Sequence, residues 1–191
     1  DIVYDVDVRS TEKIAEICRK ERVDGILTAF SDLLLECMVK IAAKAGLPCY
    51  LIPEQLKFYR DKSVMKKMFA SLDIPTPRYV ETGADCSPDL LGDLRFPVVT
   101  KPLDRYGSRG VLVLNSLEEI RSRFHEICAG SETEKILLEE YNTGYEFNLM
   151  AWVNNGQVFV LGIADREKSP GETHSIPVCS RNVYPSCLMD H

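Results

Sequence analysis

The sequence predicts a mixed α/β and α+β fold, in which a partial parallel, doubly wound unit precedes a mainly antiparallel β segment. Two observations lead to this prediction. Up to Leu47, strand-like and helix-like apolar runs alternate, which is typical of a parallel sheet with helices on its faces. After residue 132, three strand-like runs follow one another, and Asn155-Gly156 between the last two predicts a tight hairpin turn.

The opening unit is predicted as strand, helix, strand, helix. Residues 2–4 form a short apolar run, and residues 10–22 predict a helix that begins with a serine cap. Residues 23–28 then predict a buried strand. A second helix is predicted over residues 33–45, because Gly46 stands where a left-handed C-cap is usual.

The middle of the chain predicts a helix and then two strands around a loop. Asp61 can cap the helix, and its apolar face is formed by Val64, Met65, Met68, Phe69 and Leu72. Residues 96–101 and 111–114 are predicted strands, and Gly107 and Gly110 mark the loop between them.

A further helix and three strands complete the pattern. Ser116 and Glu119 have the spacing of a capping box, which predicts a helix to about residue 128. The last strands are predicted at residues 136–141, 145–153 and 157–163.

The composition is that of a folded, mildly acidic protein. The 191 residues are 45% hydrophobic and 27% charged, with a net charge of -6, and basic residues are interspersed with acids, which argues against a nucleic-acid partner. No apolar run has the length of a membrane span, and residues 1–5 lack the basic start of a signal peptide. Seven cysteines without zinc or redox spacing predict free thiols. We therefore expect a cytoplasmic protein in a reducing compartment.

Four local features stand in an order that is typical of a nucleotide site. They are Asp61-Lys62 at a helix start, the strand that ends near Lys101, the loop of residues 105–110, and the run of residues 138–146, in which acids flank a turn. Polyphosphate needs fixed positive charge and closely approaching backbone amides, which lysines and glycines supply. Each feature alone also fits a surface lysine, a plain hairpin or strand-end charges, so it is their joint order that favours the site.

In this order the sequence resembles the ATP-grasp superfamily, most closely its carbamoyl-phosphate-synthetase-like and biotin-carboxylase-like branch. The resemblance runs over nearly the whole chain and implies a partial pre-ATP-grasp (Rossmann-like) unit followed by incomplete ATP-grasp lobes. The implied domains are residues 1–54 for the pre-ATP-grasp unit, 55–132 for the N-terminal lobe and 133–191 for the start of the C-terminal lobe.

The resemblance also implies a set of residues that contact the nucleotide: Lys62, Lys101, Gly107, Ser108, Arg109, Gly110, Glu139, Glu140, Tyr141, Asn142, Glu146 and Lys168. The lysines at 62 and 101 would contact phosphates, and the loop of residues 107–110 would be a flexible lid. Backbone near residues 140 and 142 would meet the adenine, and Glu146 the ribose. Arg166 or Lys168 would face phosphate or substrate, with an exposed hairpin end as the alternative.

Two departures from the family pattern lead us to expect a chain truncated at both ends. A strand that family members carry before a segment like residues 1–7 is absent. The Glu and Glu-x-Asn that bind magnesium in the family have no match after Lys168, since Glu172, Asn182 and Asp190 stand alone. The resemblance thus implies ATP and Mg²⁺ as cofactors, with metal ligands beyond residue 191 and a fragment that is inactive alone.

The implied function is that of an ATP-dependent ligase that phosphorylates a carboxylate and passes the acyl group to an amine or similar nucleophile. A non-catalytic nucleotide-binding regulatory or scaffold module is an alternative, and so is a plain α/β interaction domain. The expected partners are small molecules, without nucleic acid or membrane, and a homo-oligomer is left open. The sequence selects neither the carboxylate nor the nucleophile, and it assigns no catalytic residue.

Overall fold

The computed structural model describes residues 2–29, 31–105, 107–169, 176 and 178–189. The chain divides into two compact units, Asp1–Thr76 and Pro77–His191. The described part of the first is helical and that of the second holds two antiparallel sheets, so the predicted mixed fold class is confirmed. The predicted division after residues 54 and 132 stays a prediction.

The first unit consists of helices whose ends follow the capping residues. Its elements are α1 (Thr11–Glu21), α2 (Asp32–Ala45), a 3₁₀ turn (Pro53–Gln55), α3 (Lys57–Arg60) and α4 (Lys62–Ser71). Gly46 ends α2 with φ at 71°, and Asp61 accepts hydrogen bonds from the amides of Ser63 and Val64 at the start of α4. Ser10 precedes α1, but within the described chain its side chain makes no capping bond.

Small apolar side chains hold α1 against α2. Ala15 and Cys18 of α1 pack with Cys37 and Ile41 of α2, and all four are buried. The two cysteines therefore serve as small core residues, which is the role that their place in apolar helical patterns predicts.

The prediction of two strands in this unit is wrong. Residues 2–4 and 23–28 belong to neither of the sheets that the described residues form. Val3 is 90% exposed and Leu27 is 88% exposed. An extended segment becomes a β-strand only where a neighbouring strand takes up its backbone N–H and C=O groups, and an apolar composition does not supply that neighbour.

The second unit carries all the strands of the described chain. Its elements are β1 (Tyr79–Thr82), α5 (Pro88–Leu91), β2 (Val98–Pro102), β3 (Val113–Leu114), α6 (Leu117–Ile127), β4 (Ile136–Glu140), β5 (Phe147–Asn154), β6 (Gln157–Ser169) and β7 (Val178–Val183). The first sheet has the order β1-β4-β2-β3 and the second has the order β5-β6-β7, with every neighbouring pair antiparallel. Neither β1 nor β7 was predicted from the sequence, and the short helices α3 and α5 were not predicted either.

The first sheet has one face on the core and one face on the candidate site. Its core face and α6 share a buried cluster that includes Val98, Leu114, Ile136, Leu138, Ile120, Phe124 and Ile127. The Ser116 side chain caps α6 by accepting from the Glu119 amide, as the sequence predicts. Because side chains alternate along a strand, Val99, Lys101 and Glu139 project from the opposite face.

The second sheet confirms the predicted hairpin. β5 and β6 pair antiparallel, and Asn154 lies opposite Gln157 beside the turn. Asn155 and Gly156 have φ values of 49° and 77°, the left-handed conformations that a two-residue hairpin turn needs. No helix in the described part of the chain is both long and apolar enough to cross a membrane.

Candidate functional site

A cleft of about 680 Å³ in the second unit is the candidate functional site. Both sheets and the loop after β2 contribute to its walls. The lining residues are Pro77, Val99, Lys101, Ser108, Val111, Glu139, Glu140, Tyr141, Asn142, Glu146, Arg166, Lys168, Ile176 and Cys179. Apolar and charged side chains therefore share one cavity of the size that small-molecule sites usually have.

An ion pair between two strands forms the wall contributed by the first sheet. Val99 of β2 lies opposite Glu139 of β4, and Lys101 lies opposite Leu137, so the two charged side chains point to the same face. Lys101 Nζ is 2.5 Å from Glu139 Oε2. The Glu139 side chain is only 6% exposed and the Lys101 side chain is 32% exposed. The carboxylate thus sits at the base of the wall, and the ammonium reaches into the cleft.

A second group of charges comes from the second sheet. Arg166 Nε lies 2.9 Å from Glu146 Oε1, and Lys168 Nζ pairs with Glu146 Oε2. Arg166 Nη1 donates to Asn148 Oδ1 at 3.3 Å, and Asn148 Nδ2 donates to Asn182 Oδ1 at 3.0 Å. Glu146, just before β5, and Asn148 on β5 therefore both contact the Arg166 side chain. The network holds the guanidinium at the cleft.

The end of β4 brings backbone groups to the rim of the cleft. The amides of Glu140 and Tyr141 donate to the carbonyls of Arg78 and Pro97, each at 3.0 Å. Asn142 Oδ1 accepts from the Gly144 amide at 2.8 Å, which closes a turn. In the described part of the chain, the Asn142 amide itself donates no hydrogen bond. Asn142 also lines the cleft, so its amide is a candidate donor for a ligand.

The glycine loop is fixed at its base. The Thr100 hydroxyl, fully buried, donates to the Gly110 carbonyl at 2.8 Å and accepts from the Leu112 amide at 3.0 Å. A Cβ at Gly110 would overlap the Ile127 carbonyl oxygen, whereas one at Gly107 would meet no atom within 4 Å. The packed base of the loop therefore differs from its open tip.

Two aspartates of the second unit hold neighbouring segments together: Asp104 follows β2, and Asp165 precedes Arg166 on β6. Burial would raise the pKa of the Asp104 carboxyl, but hydrogen bonds from the Ser131 hydroxyl and the Glu132 amide outweigh burial and lower it. The Ser186 hydroxyl, followed by the Cys187 amide, lowers the pKa of Asp165. Asp165 thus ties the segment after β7 to β6.

The structure gathers most, but not all, of the residues singled out from the sequence. Those that line the cleft are Lys101, Ser108, Glu139, Glu140, Tyr141, Asn142, Glu146 and Lys168. Gly107, Arg109 and Gly110 belong to the same loop as Ser108 but do not line the cleft, and Lys62 begins α4 in the first unit.

Sequence reasoning missed part of the lining. Arg166 was left open between a ligand-facing role and an exposed hairpin end, and it lines the cleft. Cys179 had no predicted role, although it lies opposite Lys168 across β6 and β7. The alternation that places positions 166 and 168 on one face was the available signal, but it needs the register of β6, which extends beyond the predicted end at residue 163.

A metal site is not evident among the residues that the structure describes in either unit. Among the described residues, no group of three or more His, Cys, Asp or Glu side chains is arranged to hold a metal ion. The carboxylates that line the cleft instead contact ammonium, guanidinium or backbone amide groups, as Glu140 does with the Arg95 amide at 3.0 Å. These residues do not fit a magnesium site by themselves.

Comparison with known proteins gives consistent relatives. Residues 60–176 match the family model described as phosphoribosylglycinamide synthetase, ATP-grasp (A) domain. The chain is 26% identical over 173 residues to a phosphoribosylamine–glycine ligase of Lactococcus lactis subsp. lactis (strain IL1403), and the matched region covers 87% of this chain and 40% of that protein. It is 24% identical over 165 residues to a carbamoyl phosphate synthase large chain of Rubrobacter xylanophilus, and the matched region covers 85% of this chain and 16% of the synthase chain.

A solved structure shares the fold. The L-amino acid ligase from Bacillus licheniformis superposes with a TM-score of 0.70 at 22% identity, over 86% of this chain and 38% of that one. The chain therefore spans less than half the length of each of these three relatives.

Proposed function

The chain belongs to the phosphoribosylglycinamide synthetase ATP-grasp (A) domain family, and from that premise we propose that its second unit binds ATP as part of a ligase that activates a carboxylate. This membership confirms the resemblance found in the sequence. The observation that carries the proposal is the cleft itself, where Lys101 from one sheet and Arg166 and Lys168 from the other face the same cavity.

The cleft offers a partner for each part of ATP. Lys101, Arg166 and Lys168 supply charge for phosphate oxygens, with the Ser108 segment of the glycine loop beside them. Val99, Val111 and Ile176 give apolar surface for the adenine ring, and the Asn142 amide gives it a donor. Glu146 can accept hydrogen bonds from the ribose hydroxyls. A phosphate contact by Lys62 stays an expectation from the resemblance.

The proposed reaction has two steps. A carboxylate oxygen of the substrate attacks the γ-phosphorus, the bond to the β,γ-bridging oxygen breaks, and ADP leaves with that electron pair. An amine or similar nucleophile then attacks the acyl carbon of the acyl phosphate, and inorganic phosphate leaves. The cleft cations stabilise the negative charge that phosphoryl transfer spreads over oxygens. Relatives named as ligases of glycine and of L-amino acids support a carboxylate–amine ligation.

ATP binding is tested most directly with a pair of lysine variants. Lys168 pairs with Glu146 in the cleft, whereas Lys135 pairs with Glu81 at 3.4 Å, is 59% exposed and does not line the cleft. ATP should raise the melting temperature of the unaltered chain, because a ligand of the native state stabilises it by mass action. Lys168→Ala should weaken ATP binding by about tenfold, a loss of about 1.4 kcal/mol, and Lys135→Ala should leave it unchanged.

Calorimetric titration with ATP measures these affinities. If the two variants lost ATP affinity equally, only the overall charge would matter, and the cleft would not be the ATP site. A chain that binds no ATP under conditions where it is folded would contradict the proposal.

A further inference from the structure

The loop between β2 and β3 is held at both of its ends by one segment, residues 127–132, which ends α6 and forms the turn after it. Asp104 and Arg105 stand at the first end of the loop, and Gly110 stands at its second end. Ser108, between these ends, lines the cleft, whereas Asp104 and Arg105 do not. The residues that hold the loop are thus separate from the residue that it brings to the cleft.

Three hydrogen bonds hold the first end of the loop. Asp104 Oδ1 accepts from the Ser131 hydroxyl and Asp104 Oδ2 accepts from the Glu132 amide, each at 2.7 Å. Arg105 Nη1 donates to the Gly130 carbonyl at 2.7 Å. Gly130 lets the guanidinium come this close, because a Cβ there would lie 2.9 Å from Nη1. Each bond has a charged partner, so each is stronger than a bond between neutral groups.

Close packing holds the second end of the loop. A Cβ at Gly110 would lie 2.2 Å from the Ile127 carbonyl oxygen, so this backbone rests directly on the end of α6. The buried Thr100 hydroxyl donates to the Gly110 carbonyl at 2.8 Å. By contrast, Gly107 and Ser108 at the tip are exposed, and a Cβ at Gly107 would meet no described atom within 4 Å. The position of the tip beside the cleft therefore follows from the two ends.

We propose that Asp104 and Arg105 are positioning residues, which keep the Ser108 segment at the phosphate end of the cleft by tying the loop to the turn after α6. The inference rests on the proposed function, since it takes the cleft as the ATP site. A loop that is released at its first end has to be ordered again when ATP binds, and the entropy of that ordering weakens binding.

The positioning role affects the phosphates of a ligand more than its adenine. The Asn142 amide, which is the proposed adenine donor, follows β4 and is not part of the loop. The affinity for ATP should therefore depend on the three hydrogen bonds at the first end of the loop. The affinity for adenosine, which has no phosphates, should depend on them much less.

Three variants separate position from charge. Asp104→Asn removes a charged acceptor from two donors, Ser131→Ala removes one donor without a change in charge, and Arg105→Lys keeps the charge but loses the planar guanidinium. Each should weaken ATP binding about three- to tenfold and change adenosine binding by less than about twofold. Removal of a negative charge near phosphates would by itself tighten ATP binding, so the expected sign for Asp104→Asn is opposite to that of simple electrostatics.

Glu119→Gln is the matched control. The Glu119 carboxylate accepts from the Asn115 amide at 2.8 Å in the first turn of α6, about 12 Å along the helix from residue 127. The variant loses the same charge as Asp104→Asn and a similar bond, so it should lower the melting temperature without changing the ratio of the ATP and adenosine dissociation constants. Ser131→Thr keeps the hydroxyl and should keep the ATP affinity.

Calorimetric titration of the full chain gives the ATP dissociation constant, and competition against ATP gives that of adenosine. The melting temperature of each variant is measured first. If the unaltered chain binds ATP but the ratio of the two constants in D104N, S131A and R105K equals that in E119Q, the inference is wrong and the proposed function stands. Equal ATP affinities of S131A and E119Q lead to the same conclusion if adenosine competes too weakly to measure.

Two further outcomes are decisive. Tighter ATP binding by D104N than by the unaltered chain would mean that Asp104 acts through its charge alone, which contradicts a positioning role. If the unaltered chain binds neither ligand, the proposed function is wrong and the inference fails with it.

Discussion

At the scale of single residues, the Lys101–Glu139 pair connects the proposed phosphate contact of Lys101 with the stability of the first sheet. Glu139 is almost fully buried on β4, and Lys101 Nζ lies 2.5 Å from one of its oxygens. A buried carboxylate that loses a contacting cation keeps its desolvation cost without the compensation. The same lysine that is proposed to meet phosphate therefore also supports the first sheet.

Lys101→Ala should weaken ATP binding by about tenfold or more. It should also lower the free energy of unfolding by about 1–3 kcal/mol, because Glu139 loses the ammonium that it contacts. Adding Glu139→Gln should restore much of the stability but not the affinity. Lys62→Ala should cost less affinity, since Lys62 stands in the first turn of a helix and not in a buried strand. Urea denaturation measures the unfolding free energies, and calorimetric titration measures the affinities for ATP. If Lys101→Ala alone were as stable as the unaltered chain, Lys101 would not stabilise the buried Glu139 carboxylate.

Asp104 predicts a pH-dependent contribution to stability. Its pKa is lowered in the folded protein by hydrogen bonds from the Ser131 hydroxyl and the Glu132 amide. A carboxyl whose folded pKa lies below its unfolded value stabilises the fold above the unfolded pKa, and the stabilisation is lost as the pH falls through the folded pKa. Asp104→Asn should therefore cost about 1 kcal/mol at pH 7. The difference should shrink below about pH 4, the ordinary range of this group.

Unfolding free energies of both proteins across that pH range, from urea denaturation, check the Asp104 prediction. A constant difference at all pH values would mean that shape, and not charge, causes the loss.

At the scale of elements, the loop between β2 and β3 joins a packed base to an open tip. Gly107 and Gly110 both have left-handed φ values, 66° and 71°. Only Gly110 is also crowded, since a Cβ there would overlap the Ile127 carbonyl oxygen and lie 2.7 Å from Pro102 Cγ. The two glycines are thus required for different reasons.

Gly107→Ala should lower the free energy of unfolding by about 1–2 kcal/mol, because a left-handed conformation is unfavourable for an L-residue. Gly110→Ala should cost about 3 kcal/mol or more, because overlap with the end of α6 adds to the same backbone strain. Denaturant unfolding of the two variants gives the comparison. Equal losses would show that the base of the loop can move away from α6, which the Thr100 hydroxyl bonds argue against.

The hairpin of β5 and β6 matters at the scale of the whole molecule because it is apolar and exposed. Trp152, Val153 and Val158 are each 64% exposed, and Leu161 is 66% exposed. Val153 lies directly opposite Val158 in the hairpin. Trp152 lies opposite Phe159, which is 49% exposed, and this pair projects from the other face of the hairpin. Exposed apolar side chains on both faces of a hairpin are uncommon on a monomeric soluble protein.

We expect the chain to bind an apolar fluorescent dye through this hairpin. Val153→Lys combined with Val158→Glu places a complementary charge pair across the strands and should reduce dye fluorescence severalfold while keeping the hairpin. The control pair is Asn154→Lys with Gln157→Glu, at the neighbouring polar positions that also face each other. Fluorescence titration compares the proteins, and an equal signal from both pairs would place the dye elsewhere.

Much of the fold could be read from residues close together in the sequence. Asp61, Ser116 and Gly46 end or begin helices as predicted, and Asn155-Gly156 forms its hairpin turn. Each of these features depends on a side chain and a backbone group a few residues apart, so short-range chemistry is sufficient to determine it. The order of the lysine, glycine and acidic motifs likewise identified the family from sequence alone.

Only the tertiary structure decided which segments pair and which charges meet. The apolar runs at residues 2–4 and 23–28 did not become strands, whereas β1 and β7, which have weaker local patterns, did. Glu146 meets Arg166 and Lys168 because the register of β5 on β6 brings them together. A strand needs a partner for its hydrogen bonds and an ion pair needs its counter-charge, and both partners come from distant parts of the chain, which local sequence patterns do not encode.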